Sequence, residues 1–382
     1  MFKDELDTLR SQGLYRVLRP LDGGQGPRLR IGGREVISLA SNDYLGLASH
    51  PVLAGAAIEA TERYGTGSGA SRLLSGSQPL HHALEEDLAR FLGCEAALVF
   101  NSGHGANSGT LAALCGRDDL IISDALNHAS IVDGCRLSRA DKRVYKHCNI
   151  NELEDILKVS DKYRRRWIVT DGVFSMDGDM APLPEIVALA ERYGAAIYLD
   201  EAHATGVLGP QGRGSADHFG LAEGVTLRMG TLGKALGSFG AFVAGDREII
   251  DLLINRARPF IYSTSLPPSV LAASRAAVAL IQGAEGESLR RRLQGNMDIF
   301  GGRLRELGVY RGDGATPIFP VILGSVEHTA AVADALFAKG VFAPAIRPPT
   351  VPEGTSRLRI SLSAAHDDTM IGELADAITQ GQ

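Results

Sequence analysis

Ala195-Ala196-Ile197-Tyr198-Leu199-Asp200-Glu201-Ala202-His203 decides the fold. Its apolar run ends in an acid, which is the pattern of a strand buried in a parallel sheet with Asp200 at its carboxyl end. Open α/β sheets take their ligands at that end. The same alternation runs outward in both directions. Strands are predicted at Ala96–Phe100, Leu120–Ser123, Trp167–Thr170, Ile197–Leu199, Val225–Met229 and Ala241–Ala244. Helices are predicted at Pro51–Tyr64, Pro79–Leu92, Pro184–Tyr193 and Arg247–Arg256. In Pro79–Leu92 the residues Leu80, Leu84, Leu88 and Phe91 share one face, and Gly93 is a stop signal. Strands alternating with helices argue for an α/β fold whose large domain holds a mostly parallel, doubly wound sheet.

At the amino end a helix is expected from Asp4 to Leu18, followed by a turn at Gly23-Gly24. At the carboxyl end, Ser288–Leu307 reads as a connecting helix. After it come a strand at Ile318–Leu323, a helix at Thr329–Lys339 and a strand at Arg357–Leu362. These form a second, smaller C-terminal α/β domain. The expected division is an N-terminal arm over 1–50, a large cofactor-binding domain over 51–285 and a small domain over 286–382.

Downstream of Asp200 lies Gly230-Thr231-Leu232-Gly233-Lys234-Ala235-Leu236-Gly237. A lysine among glycines suits an amine held in a tight pocket, where burial disfavours the ammonium form and frees the amine to attack a carbonyl. A phosphate-binding loop or a surface turn fits that segment equally well by itself. Asp200 changes the balance, because a Schiff-base lysine plus an aspartate on a pyridinium nitrogen is the partner set of pyridoxal phosphate. Opposite charges 4 Å apart at an effective dielectric of 20 attract by about 4 kcal/mol before desolvation, enough to keep that nitrogen protonated. Asp200-Glu201-Ala202-His203 also spells the acidic box of a helicase family. Such proteins need a Gly-Lys-Ser/Thr loop upstream. Here the comparable Gly-Lys lies downstream and Ala235 follows it. The net charge of −6 and the lack of a basic stripe exclude nucleic acid as a partner.

Composition is that of a folded, water-exposed chain: 382 residues, 45% hydrophobic and 22% charged. Cys94, Cys115, Cys135 and Cys148 form no Cys-x-x-Cys pair, so neither a metal site nor a disulfide framework is expected, and a reducing compartment is. The start, Met1-Phe2-Lys3-Asp4-Glu5, is not a signal peptide, and no stretch spans a membrane. A cytoplasmic location is expected.

Weaker signals fill in a site. Asn101-Ser102-Gly103-His104-Gly105 falls between a strand and a helix, where free N–H groups suit a phosphate, and Thr231 offers a hydroxyl to the same group. His128, in Asn127-His128-Ala129-Ser130, suits stacking on a ring or a helix cap. In the tail strand Arg357 and Arg359 share one face. Either would grip a carboxylate, or both would line a solvated edge.

Taken together these motifs resemble the α-oxoamine synthases, pyridoxal-phosphate enzymes of the aspartate-aminotransferase fold (fold type I). The anchors are Ser41-Asn42-Asp43-Tyr44-Leu45-Gly46-Leu47, Gly65-Thr66-Gly67-Ser68-Gly69, Asn127-His128-Ala129-Ser130, Val173-Phe174-Ser175-Met176-Asp177-Gly178-Asp179, Asp200-Glu201-Ala202-His203 and Gly233-Lys234. The resemblance implies that Lys234 bonds the cofactor and transfers the proton, and that Asp200 pairs with the pyridinium. It gives Ser175 and His203 the ring's phenolic oxygen and His128 the ring face. Gly103, His104 and Thr231 would hold the phosphate, and Thr264 would reach the cofactor of a second subunit in a homodimer. Asn42 and Arg359 would bind an amino-acid carboxylate, and Arg16 and Thr350 would touch substrate. His104 stands where this group usually carries phenylalanine; the phosphate contact is through backbone, so binding is expected to survive. Within the family, Ala345-Ile346-Arg347-Pro348-Pro349-Thr350-Val351-Pro352 resembles the members that join L-alanine to a pimeloyl thioester in biotin synthesis. The alternatives are a sister synthase using glycine or serine, and a non-catalytic relative that only binds.

Overall fold

Two glycines at positive φ, Gly32 (58°) and Gly33 (78°), close the first hairpin, a conformation that side chains with a Cβ resist. It joins β1 (Arg28–Ile31) to β2 (Arg34–Ser38). The computed structural model describes residues 1–379. The chain divides into two units: Met1–Ser49, Met176–Gly178 and the chain from Leu289 onward form the first, and His50–Ser175 with Asp179–Ser288 form the second.

The second unit is built on β3 (Ala96–Phe100), β4 (Asp119–Asp124), β5 (Asp141–Tyr145), β6 (Arg165–Asp171), β7 (Ala196–Asp200), β8 (Leu227–Thr231) and β9 (Ala241–Gly245). Their order in the sheet is β3-β9-β8-β7-β6-β4-β5. The pairs from β8 to β5 are parallel, and β9 runs antiparallel to both its neighbours. The period of two along each strand separates two cores. Ile121, Val169, Tyr198 and Met229 pack into one, and Ile122, Ile168, Ile197 and Leu199 into the other. Helices cover both faces, so the central strands are apolar throughout rather than alternating. The helices Pro51–Tyr64, Pro79–Leu92 and Arg247–Arg256 and the strand Ala96–Phe100 match the sequence expectation residue for residue.

β8 begins two residues later than the expected Val225–Met229. Val225 caps the turn Ala222–Gly224, and the Thr226 hydroxyl accepts the Ile197 N–H at 3.0 Å in place of a ladder bond. β5 was not foreseen. It is an edge strand whose first four residues are exposed, so it carries charge where an inner strand carries aliphatics.

In the first unit the leading helix covers Lys3–Ser11 and not Asp4–Leu18. Gly13, at φ 66°, turns the chain out of the helix. The tail holds β10 (Ile318–Gly324), β11 (Val341–Phe342), β12 (Ala345–Ile346) and β13 (Ser356–Ser361). β11 joins the first hairpin beside β2, and β13 lies between β10 and β12. β13 is thus a central strand with all six residues buried, which overturns the reading of its arginines as a solvated edge.

Candidate active site

The carboxyl ends of the parallel strands in the second unit gather most of the expected site residues. Asp200 closes β7 and is 3% exposed. Its Oδ1 accepts the Ala202 N–H at 2.8 Å and its Oδ2 accepts the Asn107 amide at 2.7 Å. Two residues past Glu201, buried His203 places Nε2 2.8 Å from Lys234 Nζ. Lys234 follows β8 in a loop whose entry tolerates no side chain at Gly230. A Cβ there would lie 2.3 Å from the Phe242 ring. Glu201 does structural work: its buried carboxylate accepts Ser215 N–H, Ser215 Oγ–H and Ala216 N–H at 2.8, 2.7 and 2.9 Å. Burial pushes its acidity down and its pKa up, against those three bonds.

His128 caps the helix Ala129–Leu137, with Nδ1 accepting the Ser130 N–H at 3.3 Å and lying 2.7 Å from Ser130 Oγ. Its backbone N–H donates to buried Asp171 at 2.7 Å. Desolvation lowers the His128 pKa; the Asp200 charge works against this and the Lys234 charge with it, so the three groups share one electrostatic neighbourhood. Asp171 is pushed well above the usual carboxylate range, first by burial and then by Asp200 on the adjacent strand.

Gly103 and His104 open the helix Gly103–Leu114, capped by Ser102 Oγ accepting the Gly105 N–H at 3.0 Å. The His104 ring is exposed, with Nε2 3.8 Å from Asp133. Thr231 ends β8; its hydroxyl donates to the Gly240 carbonyl at 3.1 Å and accepts the Gly233 N–H at 3.2 Å. Ser175 is half-buried in the loop after Phe174. Thr264 is exposed, and its carbonyl accepts the Asn101 amide at 2.6 Å.

The first unit assembles the remaining residues. Arg359 on β13 is 6% exposed; it donates to Ser361 Oγ at 2.8 Å and to Tyr44 OH at 3.3 Å. Tyr44 OH in turn donates to Asn42 Oδ1 at 3.2 Å, so one buried phenol links Asn42 to Arg359. Arg357 is engaged elsewhere. Its guanidinium is ion-paired with Asp177 and donates to the Thr355 carbonyl at 3.0 Å. Arg16 meets Thr350 at 3.5 Å across 334 residues of sequence. Arg347, which carried no assigned role, donates to the Gly13 carbonyl and holds the chain next to Arg16.

Sequence reasoning missed Asn107 and Ser130. Asn107 is 1% exposed in a helix interior, where asparagine is a poor helix former. That mismatch was the available signal.

The sequence model of the aminotransferase class I and II family matches residues 34–378. Over 365 residues the chain is 58% identical to a Geobacter sulfurreducens protein named 8-amino-7-oxononanoate synthase, covering 96% of this chain and 93% of that one. The chain belongs to the aminotransferase class I and II family and, within it, to the α-oxoamine synthases. A second relative of the same name, from Citrifermentans bemidjiense, is 50% identical over 99% of this α-oxoamine synthase and 97% of its own length. Among solved structures, a serine palmitoyltransferase from S. paucimobilis with bound PLP–myriocin matches with a TM-score of 0.94 at 32% identity, covering 100% of this chain and 97% of that one. An 8-amino-7-oxononanoate synthase from Francisella tularensis matches with a TM-score of 0.78 at 30% identity, over 90% and 97%. Among the described residues no helix of this α-oxoamine synthase is long and apolar enough to cross a membrane.

Proposed function

We propose that this protein condenses L-alanine with a pimeloyl thioester, of coenzyme A or of a carrier protein. The products are 8-amino-7-oxononanoate for biotin synthesis, carbon dioxide and the free thiol carrier. The observation that carries the reading is the 58% and 50% identity, over nearly the whole chain, to proteins named for that product. Pyridoxal 5'-phosphate is the cofactor, and the residues present suit it. The donors on buried Asp200 are neutral, an amide and a backbone N–H. A buried carboxylate so arranged calls for a cation, and a protonated ring nitrogen supplies one. When bound, the cofactor accepts electron density from the α-carbon of the amino acid.

Every other task falls to the chain. Lys234 would anchor the cofactor, and its Nζ would take and return the α-proton, with His203 Nε2 at 2.8 Å to accept one of its N–H bonds. Asp200 would keep the ring nitrogen protonated. His128 would lie on the ring face, and Ser175 and His203 would face the phenolic oxygen. N–H groups of Gly103 and His104 at a helix start, with the Thr231 hydroxyl, would hold the phosphate. Arg359 and Asn42, already joined through Tyr44 OH, would hold the alanine carboxylate and so fix which bond at the α-carbon breaks. Arg16 and Thr350 would touch the acyl substrate. We place the protein in the cytoplasm as a homodimer in which Thr264 serves the second subunit's phosphate.

A second reading, condensation of serine or glycine with another acyl-CoA, draws on the TM-score of 0.94 to serine palmitoyltransferase. One experiment separates the two. The cofactor-loaded protein is given pimeloyl-CoA with alanine, glycine or serine, and thiol release is followed. Release with alanine alone is expected. Release with serine or glycine in preference, or none with pimeloyl-CoA but release when a long-chain acyl-CoA replaces it in a second series, selects the second reading.

A further inference from the structure

Asn107 joins two of the proposed catalytic side chains. Its Nδ2 lies 2.7 Å from Asp200 Oδ2 and 2.8 Å from Ser130 Oγ, and its Oδ1 lies 2.7 Å from Tyr198 OH. The polarity of these bonds follows from chemistry. An ionised carboxylate only accepts, so the amide must turn its NH2 to Asp200. Flipping it would set two acceptors against each other at 2.7 Å. Oδ1 then faces Tyr198, whose hydroxyl must donate. The second amide hydrogen goes to Ser130 Oγ, which leaves the serine proton for His128 Nδ1 at 2.7 Å. The same nitrogen accepts the Ser130 N–H at 3.3 Å. Two donors on Nδ1 leave the ring proton on Nε2. Asn107, Ser130, Tyr198 and Asp200 are 1%, 1%, 0% and 3% exposed, so water does not compete for these bonds.

We propose that Asn107 is a positioning residue. Oriented by Tyr198, it fixes the Asp200 carboxylate toward the cofactor ring nitrogen and, through Ser130, holds His128 neutral in its Nε2–H tautomer. This rests on the cofactor reading above. Sheet and helix each contribute one end: β7 supplies Tyr198 and Asp200, whose side chains reach the amide from positions two apart, and the helix Gly103–Leu114 supplies the amide. Asp200 acts on charge that develops as the α-proton leaves. A misoriented Asp200 therefore lowers kcat and leaves ground-state binding of alanine alone.

The test uses Asn107→Asp, close to the native shape, and Tyr198→Phe, which keeps the amide and its polarity but removes the donor that braces Oδ1. Folding is checked by far-UV circular dichroism and melting. The first readout needs no cofactor: nitrogen NMR of histidine-labelled protein at neutral pH. Wild type should show His128 with its proton on Nε2. In Asn107→Asp the new carboxyl and Asp200 share one proton, since both cannot ionise 2.7 Å apart. Its remaining lone pairs draw the Ser130 hydroxyl away, and Nδ1 should gain proton occupancy, with a smaller change of the same kind in Tyr198→Phe. The second readout is kinetic. Asn107→Asp should lower kcat about ten- to a hundredfold, the worth of a hydrogen bond to a charged group, with the alanine KM within about threefold. An unchanged His128 tautomer in folded Asn107→Asp overturns the proposal, as does a tautomer change with wild-type kcat. If wild type neither binds the cofactor nor releases thiol, the function reading fails, while the tautomer measurement still decides what Asn107 does.

Discussion

Arg357 and Arg359 are two residues apart on one strand, and their partners give them different work. Arg357 is 3% exposed and committed to Asp177 and the Thr355 carbonyl. Arg359 donates to two hydroxyls, Ser361 and Tyr44, and the second of these links it to Asn42, the other residue proposed to hold the carboxylate. Arg359→Ala should raise the alanine KM about ten- to a hundredfold, the worth of a charge-assisted pair. Arg357→Ala should leave that KM near wild type and cost about 2 kcal/mol of stability, because it leaves Asp177 unpaired. Steady-state kinetics and urea unfolding of both variants check this. Equal rises in KM would mean that both guanidiniums hold substrate.

At the scale of the element, one histidine ties two loops. His147, after β5, lies 3.0 Å from Asp124 through Nδ1 and 2.7 Å from Asp179 through Nε2. A neutral imidazole has one N–H; two carboxylate acceptors require two. These bonds raise the His147 pKa to about 12 although burial opposes them. Asp124 precedes the Asn127-His128 turn, and Asp179 closes the hairpin in which Ser175 sits. Asp124, His147 and Cys148 also place potential metal ligands within 4.8 Å of one another. The sulfur, however, is 3.7 and 3.6 Å from the two ring nitrogens. That puts it over the ring face, since an in-plane sulfur at those distances would collide with Cε1. The ring's in-plane directions serve the carboxylates. Because the folded pKa is raised, the tie's stabilisation is whole below the unfolded value near 6.5. It is lost as pH rises toward the folded value of about 12. In a Cys148→Ser background, which removes the sulfur over the ring, His147→Gln should lower the urea midpoint at about pH 6 and flatten its decline between about pH 7 and 10. Parallel midpoint curves would show that His147 is neutral. None of this was legible in the sequence, where His147 and Cys148 carry no motif. What was legible shares a cause: helices beginning at Pro51 and Pro79 and strands buried on both faces write their boundaries into local chemistry. Edge strand β5 and the Asn107 network depend on neighbours distant in sequence. A period of two places Arg357 and Arg359 on one face and cannot say that Asp177 occupies one of them.

For the whole molecule, fold and function separate. The TM-score is higher to serine palmitoyltransferase (0.94) than to the Francisella synthase (0.78), at similar identities of 32% and 30%. A shared scaffold does not choose the acyl chain or the amino acid; the 58% relative does so more narrowly. Assembly completes the site in the proposed reading. Thr264 is exposed, and its bridge to Ser71 sets Tyr262, 71% exposed, beside the turn that bears Leu74, 80% exposed. Apolar side chains so placed suit a second copy of the chain. Two impaired subunits then test whether Thr264 serves its own site or its partner's. Lys234→Ala removes the anchor, and Thr264→Ala weakens phosphate binding; each homodimer should be poorly active at limiting cofactor. In a hybrid of the two, the subunit that keeps Lys234 receives an intact Thr264 from its partner. One native site is rebuilt, and activity should return to about half the wild-type value per dimer. If Thr264 serves its own subunit, the hybrid has one site without the lysine and one with weakened phosphate binding, and mixing restores nothing.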